Sequence, residues 1–461
     1  MTEFSAQDWP EAFVSDTAVS RAVSRAAKAG RLRKLASRLY TRNLTDTPEA
    51  IVRRNLWQIV GGYFPGGLVA DRTALENAPA EDGSICLVTE RGGDVPLPGL
   101  MLRPRRGVSP LQGDRPFISG LHLSSTARAY VENMRSSRAR GGLCARTLSR
   151  REIEERLETL LRRSGEEALN RLRDEVRAIA PALGLEAEAR ELDALIGTLL
   201  GTREAELSTP AAKARRAGRP YDPERIERFQ LLHRALRDYP PVIRLAQARS
   251  PAAEATLAFF EAYFSNFIEG TEFAVEEAAD IVFRGVIPNE RPEDAHDVLG
   301  TWRIVGDRSE MERVPGSHAE LVRLLQARHA GIMQLRPEKG PGRFKTTGNR
   351  AGGTTFVAPE LVEGTLEQGF ELCRSLEMPF QRAVFMMFLI SEVHPFADGN
   401  GRTARIMMNA ELVAGGEERI IIPTVYRANY LSALKALSQN DIPEPLIRTL
   451  DFAQKWTAAV T

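Results

Sequence analysis

HPFADGNGRTAR, which runs from His394 to Arg405, joins two segments that both have the pattern of a helix. The preceding segment, PFQRAVFMMFLISEV, starts with proline, is apolar and contains no helix breaker. The following segment, RTARIMMNAELVAGG, has apolar residues at helical spacing and ends at a glycine pair, which is a helix stop signal. The sequence therefore predicts a helix–loop–helix unit in which residues 399–402 begin the second helix.

The start of this second helix is a predicted anion-binding site. The first N–H groups of a helix lack intrahelical partners and lie at the positive end of its dipole, and Gly399 and Gly401 let an anion approach the backbone closely. Arg402 and Arg405 share one helix face and can bind phosphate oxygens. Asp398 would repel a phosphate unless a hard cation lay between them. This arrangement predicts Mg²⁺ bound jointly by Asp398 and phosphate oxygens.

His394 is the candidate base of the site. It closes the first helix, where the negative end of the dipole favours the imidazolium, so we expect a raised pKa and a more basic neutral ring. A base beside an anion and a metal ion suits removal of a proton from a hydroxyl group that attacks phosphorus. The alternative, a helix cap with solvated arginines, does not account for this combination of groups.

The stretch is similar, at every specified position, to the Fic-family signature H-x-F-x-[D/E]-G-N-G-R-x-x-R. The resemblance implies transfer of AMP from ATP to a Ser, Thr or Tyr hydroxyl, with His394 as the base, Asp398 as the magnesium ligand and Phe396 as the anchor of the loop in the core. It also implies that Asn400 and the helix start hold the α- and β-phosphates, and that the two arginines hold the outer phosphates. The implied nucleotide-binding residues are Gly399, Asn400, Gly401, Arg402 and Arg405.

A second segment, FSNFIEGTEF, lies far upstream and is similar to the inhibitory pattern of Fic proteins, [S/T]-x-x-x-E-[G/N], through Ser265, Glu269 and Gly270. It ends an apolar segment near residues 252–270 that predicts a helix. The resemblance implies that Glu269 pairs with Arg405, so that ATP binds with its α-phosphate wrongly presented. An ordinary exposed glutamate before a helix-ending glycine is the alternative. The same residues also suit removal of AMP, with Glu269 positioning a water.

Two further segments resemble parts of a Fic domain. GRFKTTGNRAGGTTFVAPE, residues 342–360, predicts a β-hairpin with its turn near Asn349 to Gly353, similar to the flap that binds a target segment by strand pairing. A plain surface hairpin is the alternative. Arg427 and Tyr430 resemble family positions near the adenine, although helix packing is an equally good interpretation of both.

The segment from Arg21 to Arg42 holds eight basic residues and no acidic one. It predicts a short helix, a break at Gly30 and a two-stranded wing, and it resembles the N-terminal part of AbiEi-type antitoxin regulators. The exposed helix face, with Ser20 and Ser24 among the basic residues, is suited to the major groove of duplex DNA, and the wing arginines to its phosphates. The candidate DNA contacts are Arg21, Arg25, Lys28, Arg31 and Arg33. A solvated basic helix without a nucleic-acid role is the alternative.

Composition narrows the remaining classes. The net charge of +1 gives no overall attraction to nucleic acid or membrane, and three widely spaced cysteines suit neither a disulfide framework nor a zinc site. The chain has neither an apolar run of membrane-spanning length nor the pattern of a signal peptide, so we expect a cytoplasmic protein without membrane contact. Family members often regulate themselves as dimers, which makes a homodimer a candidate state.

The predicted fold is multidomain, with a mainly α Fic domain, a helical bundle with a β-hairpin flap, preceded by a winged-helix and α+β region. The predicted domains are 1–45 (winged helix-turn-helix), 46–203 (AbiEi-like α+β and helical module), 204–224 (linker) and 225–461 (Fic domain). We expect an autoinhibited protein adenylyltransferase coupled to DNA binding, with ATP as its substrate and Mg²⁺ as its cofactor. Its partner would be an unidentified target protein, with the chain itself as a candidate. The competing hypothesis is a transcriptional regulator that senses nucleotide with its Fic half, but such a module would not need both His394 and Asp398.

Overall fold

The structure, a computed structural model, describes residues 9–90, 92–202, 207–240 and 242–460. The chain divides into two compact units, residues 1–216 and 217–461. The division falls inside the segment 204–224 that the sequence predicts as a linker. Within that segment Ala212 is buried in a core cluster of the first unit, so the residues before the division belong to that unit.

The first unit begins with a three-stranded antiparallel sheet and one basic helix. The elements are β1 (Ala12–Val14), α1 (Ser20–Lys28), β2 (Arg33–Ala36) and β3 (Leu39–Thr41), and the strand order is β1-β3-β2. Val23 and Ala26, three residues apart on α1, are buried with Leu32 and leave the basic face outside. The predicted helix and two-stranded wing are confirmed. Among the described residues 9–45, α1 is the single helix, so no helix-turn-helix pair forms within that range.

A mixed six-stranded sheet follows the wing. Its elements are α2 (Pro48–Arg54), α3 (Leu56–Tyr63), β4 (Leu68–Val69), α4 (Asp71–Glu76), β5 (Ser84–Val88), β6 (Val95–Leu97), β7 (Leu100–Arg105), β8 (Arg115–Pro116) and β9 (His122–Leu123). The strand order is β6-β7-β5-β4-β9-β8, with β5 parallel to β7 and β4 parallel to β9. Every residue of β5 is buried, as expected for a central strand covered on both faces.

The rest of the first unit is helical, as its amphipathic sequence predicts. The helices are α5 (Thr126–Asn133), α6 (Arg150–Leu183), α7 (Glu186–Leu199) and α8 (Pro210–Arg216). Apolar residues at helical spacing on α6, such as Leu157, Leu161, Leu169 and Leu172, are buried in the core that these helices share. The α+β region expected before the Fic domain is therefore present.

The second unit is mainly helical. Its elements are α9 (Pro223–Asp238), α10 (Pro251–Ile268), α11 (Val275–Ala279), a π-helical turn (Asp280–Arg284), α12 (Pro292–Gly306), α13 (Arg308–Met311), α14 (His318–Ile332), β10 (Arg350–Ala351), β11 (Thr354–Thr355), α15 (Val362–Arg374), α16 (Pro379–Val393), α17 (Asn400–Ala414), α18 (Arg427–Asn440) and α19 (Glu444–Val460). The paired strands β10 and β11 form the predicted hairpin. No helix within the described ranges is long and apolar enough to cross a membrane.

Helix α16 is the centre of this unit and positions the site. Twelve of its fifteen residues are buried, because its sequence is apolar around most of its circumference. It packs against α17, α15 and α9, and the loop between α16 and α17 is residues 394–399. The bounds of α16 agree with the predicted Pro379–Val393, and α17 ends directly before the predicted glycine stop. The expected fold class is confirmed.

Candidate active site

The loop between α16 and α17 is held in one conformation by buried contacts. His394 has φ +53°, a left-handed conformation that is costly for a residue with a side chain, and Gly399 has φ +72° at the start of α17. Phe396 is fully buried and its ring stacks on that of His329, with 3.7 Å between ring centroids. The expected anchoring of the loop by Phe396 is therefore confirmed.

Asn400 closes the loop on itself. Its Oδ1 accepts a hydrogen bond from the backbone N–H of Phe396 at 2.8 Å, and its Nδ2 donates to the carbonyl of the same residue at 2.9 Å. The side chain is buried, and buried amide groups are nearly always paired in this way. One amide hydrogen of Asn400 remains for the phosphate contact that the family resemblance implies for this side chain. Its role in shaping the loop was missed by the sequence reasoning.

The imidazole of His394 has a defined tautomer. Nδ1 lies 3.2 Å from the carbonyl oxygen of Ser391, and a carbonyl can only accept, so Nδ1 carries the hydrogen and donates it. The neutral ring then has its lone pair on Nε2. Phe356 covers one face of the ring in a parallel stack, with 3.7 Å between centroids and 6° between the planes. This geometry leaves Nε2 as the basic atom.

Burial, helped by the nearby Lys345 ammonium, lowers the pKa of His394 to about 4, although the Ser391 carbonyl and the carboxylates of Glu269 and Asp398 act in the opposite direction. The expected rise in pKa is therefore wrong. The helix dipole stabilises the imidazolium, but burial destabilises it by a larger free energy, because the charged ring is removed from water. As a result His394 is neutral at physiological pH.

Glu269 meets Arg405 at the end of α10. The helix ends at its C-cap residue Glu269, because the next residue, Gly270, has φ +94°. Oε1 of Glu269 lies 2.7 Å from Nη2 of Arg405. Arg405 also donates from Nε to the hydroxyl of Ser265 at 2.9 Å and from Nη2 to the Ser265 carbonyl at 2.8 Å. Ser265 and Glu269 of the upstream pattern thus bond Arg405, the last arginine of the loop segment, while Gly270 ends the helix that carries them.

The Glu269 carboxylate also lies directly over Gly401 in the first turn of α17. A Cβ placed on Gly401 would be 2.1 Å from Oε1 of Glu269 and 3.1 Å from Nη1 of Arg405. Only glycine leaves this space free. The helix start that the sequence predicts as an anion site therefore faces an anion of the protein itself.

Arg402 has a different acidic partner. Its Nη1 donates to Oδ2 of Asp297 at 2.5 Å, and its Nη2 lies 4.0 Å from Oδ1 of Asp398. Asp297 is buried and also accepts from Nε of Arg336 at 3.0 Å. Sequence reasoning missed Asp297, although one signal was available. It stands among the apolar and small residues on the buried face of α12, where a carboxylate needs a cationic partner.

Asp398 is suited to share a metal ion with a ligand. Its side chain is 45% exposed, and its Oδ1 accepts from the N–H of Gly399 at 2.6 Å. Within the described ranges no group of three or more His, Cys, Asp or Glu side chains could hold a metal alone. Mg²⁺ commonly binds one or two carboxylates plus substrate phosphates, so a single carboxylate beside an anion site fits this ion.

His329 packs against the loop through Phe396 and Asp398. Its spacing in the sequence did not indicate this role. It is fully buried, its Nδ1 accepts from the N–H of Gly342 at 2.9 Å, and its Nε2 lies 3.0 Å from the carbonyl oxygen of Asp398. These partners require a hydrogen on Nε2 and none on Nδ1. Burial lowers the pKa of this ring to about 4.

Acidification is therefore expected to destabilise the protein through His329. The folded-state pKa of about 4 lies below the ordinary value of 6.5, so the unfolded chain binds a proton that the folded chain does not. The stabilisation is fully present above pH 6.5 and decreases by roughly 3 kcal/mol as the pH falls to 4. Urea unfolding between pH 7 and pH 4.5 measures it. His329→Phe keeps a ring against Phe396 and should show a smaller pH dependence; an equal dependence would contradict the assignment.

The other two predicted residues of the second unit lie on α18. Arg427 donates from Nε to the carbonyl of Ile268 at 3.0 Å, at the last residue of α10. Tyr430 is buried, and its hydroxyl lies 3.3 Å from the sulfur of Met387, which supports the packing interpretation for this residue. The contact of Arg427 with the helix that carries Glu269 was not expected from the sequence.

The predicted DNA contacts form a separate surface on the first unit. Arg21, Arg25, Lys28 and Arg31 are exposed, as predicted. Arg33 differs, because it is half-buried and one of its guanidinium nitrogens donates to the carbonyl of Asp46 at 2.5 Å.

Residues 321–412 match the model of the Fic/DOC family, and this part of the chain is a Fic domain. Protein adenylyltransferase fic-1 of Caenorhabditis briggsae is 27% identical over 198 residues, which are 41% of this chain and 38% of that protein. Protein adenylyltransferase Fic of Drosophila grimshawi is 28% identical over 225 residues, 46% of this chain and 44% of that protein. The chain thus matches less than half the length of these relatives.

Solved Fic structures show limited overall similarity. A fragment of Fic-1 from C. elegans is 19% identical with a TM-score of 0.39, covering 67% of this chain and 90% of the fragment. A variant of IbpAFic2 in complex with adenylylated Cdc42 is 13% identical with a TM-score of 0.33, covering 67% of this chain and 89% of that chain.

Proposed function

We propose that this protein is an autoinhibited, magnesium-dependent protein adenylyltransferase that transfers AMP from ATP to a protein hydroxyl group. One observation carries the proposal. Within a Fic domain, a neutral His394 with its lone pair on Nε2 adjoins a helix start with two arginines and a half-exposed carboxylate. The relatives named protein adenylyltransferases support the same activity.

Each group has a defined task in this reaction. Nε2 of His394 takes the proton from the target hydroxyl, whose oxygen attacks the α-phosphorus of ATP. The bond to the β-phosphate oxygen breaks, and pyrophosphate leaves. The N–H groups at the start of α17, with Arg402 and Arg405, stabilise the negative charge of the phosphates. Asp398 would hold Mg²⁺ jointly with phosphate oxygens, and the ion would neutralise part of their charge.

Inhibition follows from the position of Glu269. Its carboxylate lies against Gly401 and pairs with Arg405, so the groups that would bind the outer phosphates are already engaged by a negative charge. A phosphate in that position would meet both steric conflict and like-charge repulsion. ATP then either fails to bind or binds with its α-phosphate out of line with His394.

The activity can be tested with two forms of labelled ATP. The full chain and its Glu269→Gly variant are incubated with Mg²⁺, a cell lysate, and ATP labelled on the α- or the γ-phosphate. Relative to lysate alone, more covalent label from the α-phosphate and no added label from the γ-phosphate, which lysate kinases also transfer, is the expected result. A γ label added by the protein would indicate phosphoryl transfer. No added protein-bound label from either form would contradict the transferase and favour the nucleotide-sensing regulator.

A second candidate function, binding of duplex DNA, concerns the first unit. Arg21, Arg25 and Lys28 are exposed together on α1, beside the wing. Within the described residues none of the three has an acidic side chain at ion-pair distance. Unpaired cations on one face of a short helix fit the phosphate backbone of DNA. We infer that this surface, α1 with β2 and β3, is the DNA-binding surface of the chain.

Neutralising two of these residues should weaken DNA binding in a salt-dependent way. With Arg21→Ala and Arg25→Ala combined, the slope of log affinity against log salt should fall in magnitude by about 2, since each lost phosphate contact removes about 0.9. Fluorescence anisotropy with labelled duplex DNA between 50 and 200 mM salt, about the range that resolves such slopes, measures it. Arg171→Ala, an exposed arginine on α6, is the control. An equal effect of the control, or none of the double variant, would contradict the proposal.

A further inference from the structure

We propose that Lys345 is a positioning residue for His394, a buried ammonium group at the base of the hairpin that holds the catalytic loop from both sides of the histidine. The inference rests on the proposed function, because His394 is the base only if the protein transfers AMP. Lys345 and its partner Asn349 both lie outside the signature run from His394 to Arg405.

Lys345 bonds the residues on either side of His394. Its backbone N–H donates to the carbonyl of Pro395 at 2.8 Å, and its Nζ donates to the carbonyl of Val393 at 3.4 Å. His394 itself has φ +53°, a conformation that persists only when the surroundings hold it. One residue therefore holds a backbone carbonyl on each side of the strained candidate base.

Asn349 extends this clamp to the rest of the loop. Nζ of Lys345 donates to Oδ1 of Asn349 at 2.6 Å, and Nδ2 of Asn349 donates to the carbonyl of Phe396 at 2.8 Å. The carbonyl of Asn349 accepts from the N–H of Phe356, whose ring lies on the imidazole of His394. Asn349 and Phe356, one at each end of the hairpin, thus both contact the catalytic loop, at Phe396 and at His394.

The charge of Lys345 has no local counter-ion. The side chain is 6% exposed, and among the described residues no carboxylate oxygen lies within 4.0 Å of Nζ. Burial lowers the pKa of this lysine to about 8, so it is still mostly charged at neutral pH, at an energetic cost. An apolar side chain would pack there at lower cost, which indicates that the charge has a use.

That use is electrostatic and acts on His394. Three charged groups outside its own turn act on the imidazole, the ammonium of Lys345 and the carboxylates of Glu269 and Asp398. The two carboxylates favour a proton on the ring, and the ammonium opposes it. Lys345 therefore keeps the imidazole available as a base beside two acidic groups.

The direct test is a titration of the His394 ring in the full chain by NMR with ¹³C-labelled histidine, assigned by the signal lost in His394→Ala. Lys345→Met removes the charge, Lys345→Arg keeps it, and Arg343→Met removes an exposed cation two residues away. We expect Lys345→Met to raise the midpoint by about one pH unit and the other two variants to leave it near the wild-type value. An unchanged midpoint in Lys345→Met would overturn the proposal.

Rates of AMP transfer in the Glu269→Gly background give a second readout. Lys345→Met should lower kcat about tenfold, shift the acid limb of the pH profile upward and leave KM for ATP unchanged, while Lys345→Arg restores kcat. A shifted titration without transfer in any variant would support the role of Lys345 and contradict the proposed activity. If Lys345→Met does not fold, as judged by circular dichroism, Lys345→Gln gives the same titration with a neutral hydrogen-bonding side chain.

Discussion

Replacing Glu269 with glycine is expected to raise the rate of AMP transfer by roughly 10- to 100-fold. The change removes the partner of Arg405 and clears the space over Gly401. A hydrogen bond to a charged group contributes about 1.5 to 3 kcal/mol, and each 1.4 kcal/mol corresponds to about a factor of ten. Glycine should also be tolerated there, since the following Gly270 already ends the helix. Initial rates with α-labelled ATP measure the effect.

Two further variants make this experiment specific. Glu269→Gln keeps the size of the side chain but removes its charge, so it should give an intermediate rate. Glu272→Gly lies three residues further along on an exposed position and should leave the rate unchanged. If both proteins transfer AMP and the rates of wild type and Glu269→Gly are equal, the contact with Arg405 is structural and not inhibitory.

His394→Ala in the Glu269→Gly background is expected to reduce transfer by about 10²- to 10⁴-fold, the usual contribution of a general base. Binding of ATP should persist, because the cradle of α17 and the two arginines are untouched. The acid limb of the parent variant should lie near pH 4, since the base is lost only as the pH falls through the lowered pKa of His394. The Glu269 carboxylate raises the pKa of His394, so its removal in the parent variant should not move this acid limb to higher pH.

Calorimetric titration with ATP separates loss of chemistry from loss of binding in the same protein. His233→Ala serves as the matched control, because this partly exposed histidine bonds Ser375 on another part of the domain. Transfer at the parental rate by His394→Ala would eliminate the proposed base. A loss of ATP binding along with transfer would show instead that the loop had collapsed.

The parts of the site that depend on neighbours in sequence could be predicted. The helices around the loop follow from a continuous apolar run and a glycine stop, and the hairpin follows from its glycines and threonines. The pairing of Glu269 with Arg405 spans 136 positions, and only a family pattern could indicate it. In the first unit, the basic helix and the wing could likewise be predicted from local sequence, but the parallel strand pairs of the six-stranded sheet could not.

What could not be predicted depends on burial by distant residues. The pKa of His394 was expected to rise because only its helix end was visible in the sequence. The stacking of Phe356 and the charge of Lys345 come from the hairpin, which the fold brings over the ring. Likewise Asp297 lies 105 positions from Arg402, and the local sequence around either residue does not indicate that the two form an ion pair.

If the proposed autoinhibition holds, the position of the Glu269 carboxylate over Gly401 makes it an intramolecular competitor of nucleotide. A tethered group competes at an effective concentration set by its tether, commonly in the millimolar range, and independent of how much protein is present. That concentration depends on how firmly the last turn of α10 is held, and Arg427 holds it through the carbonyl of Ile268. The ATP level at which the enzyme responds would then be set by the rigidity of one helical turn, outside the residues that perform the chemistry.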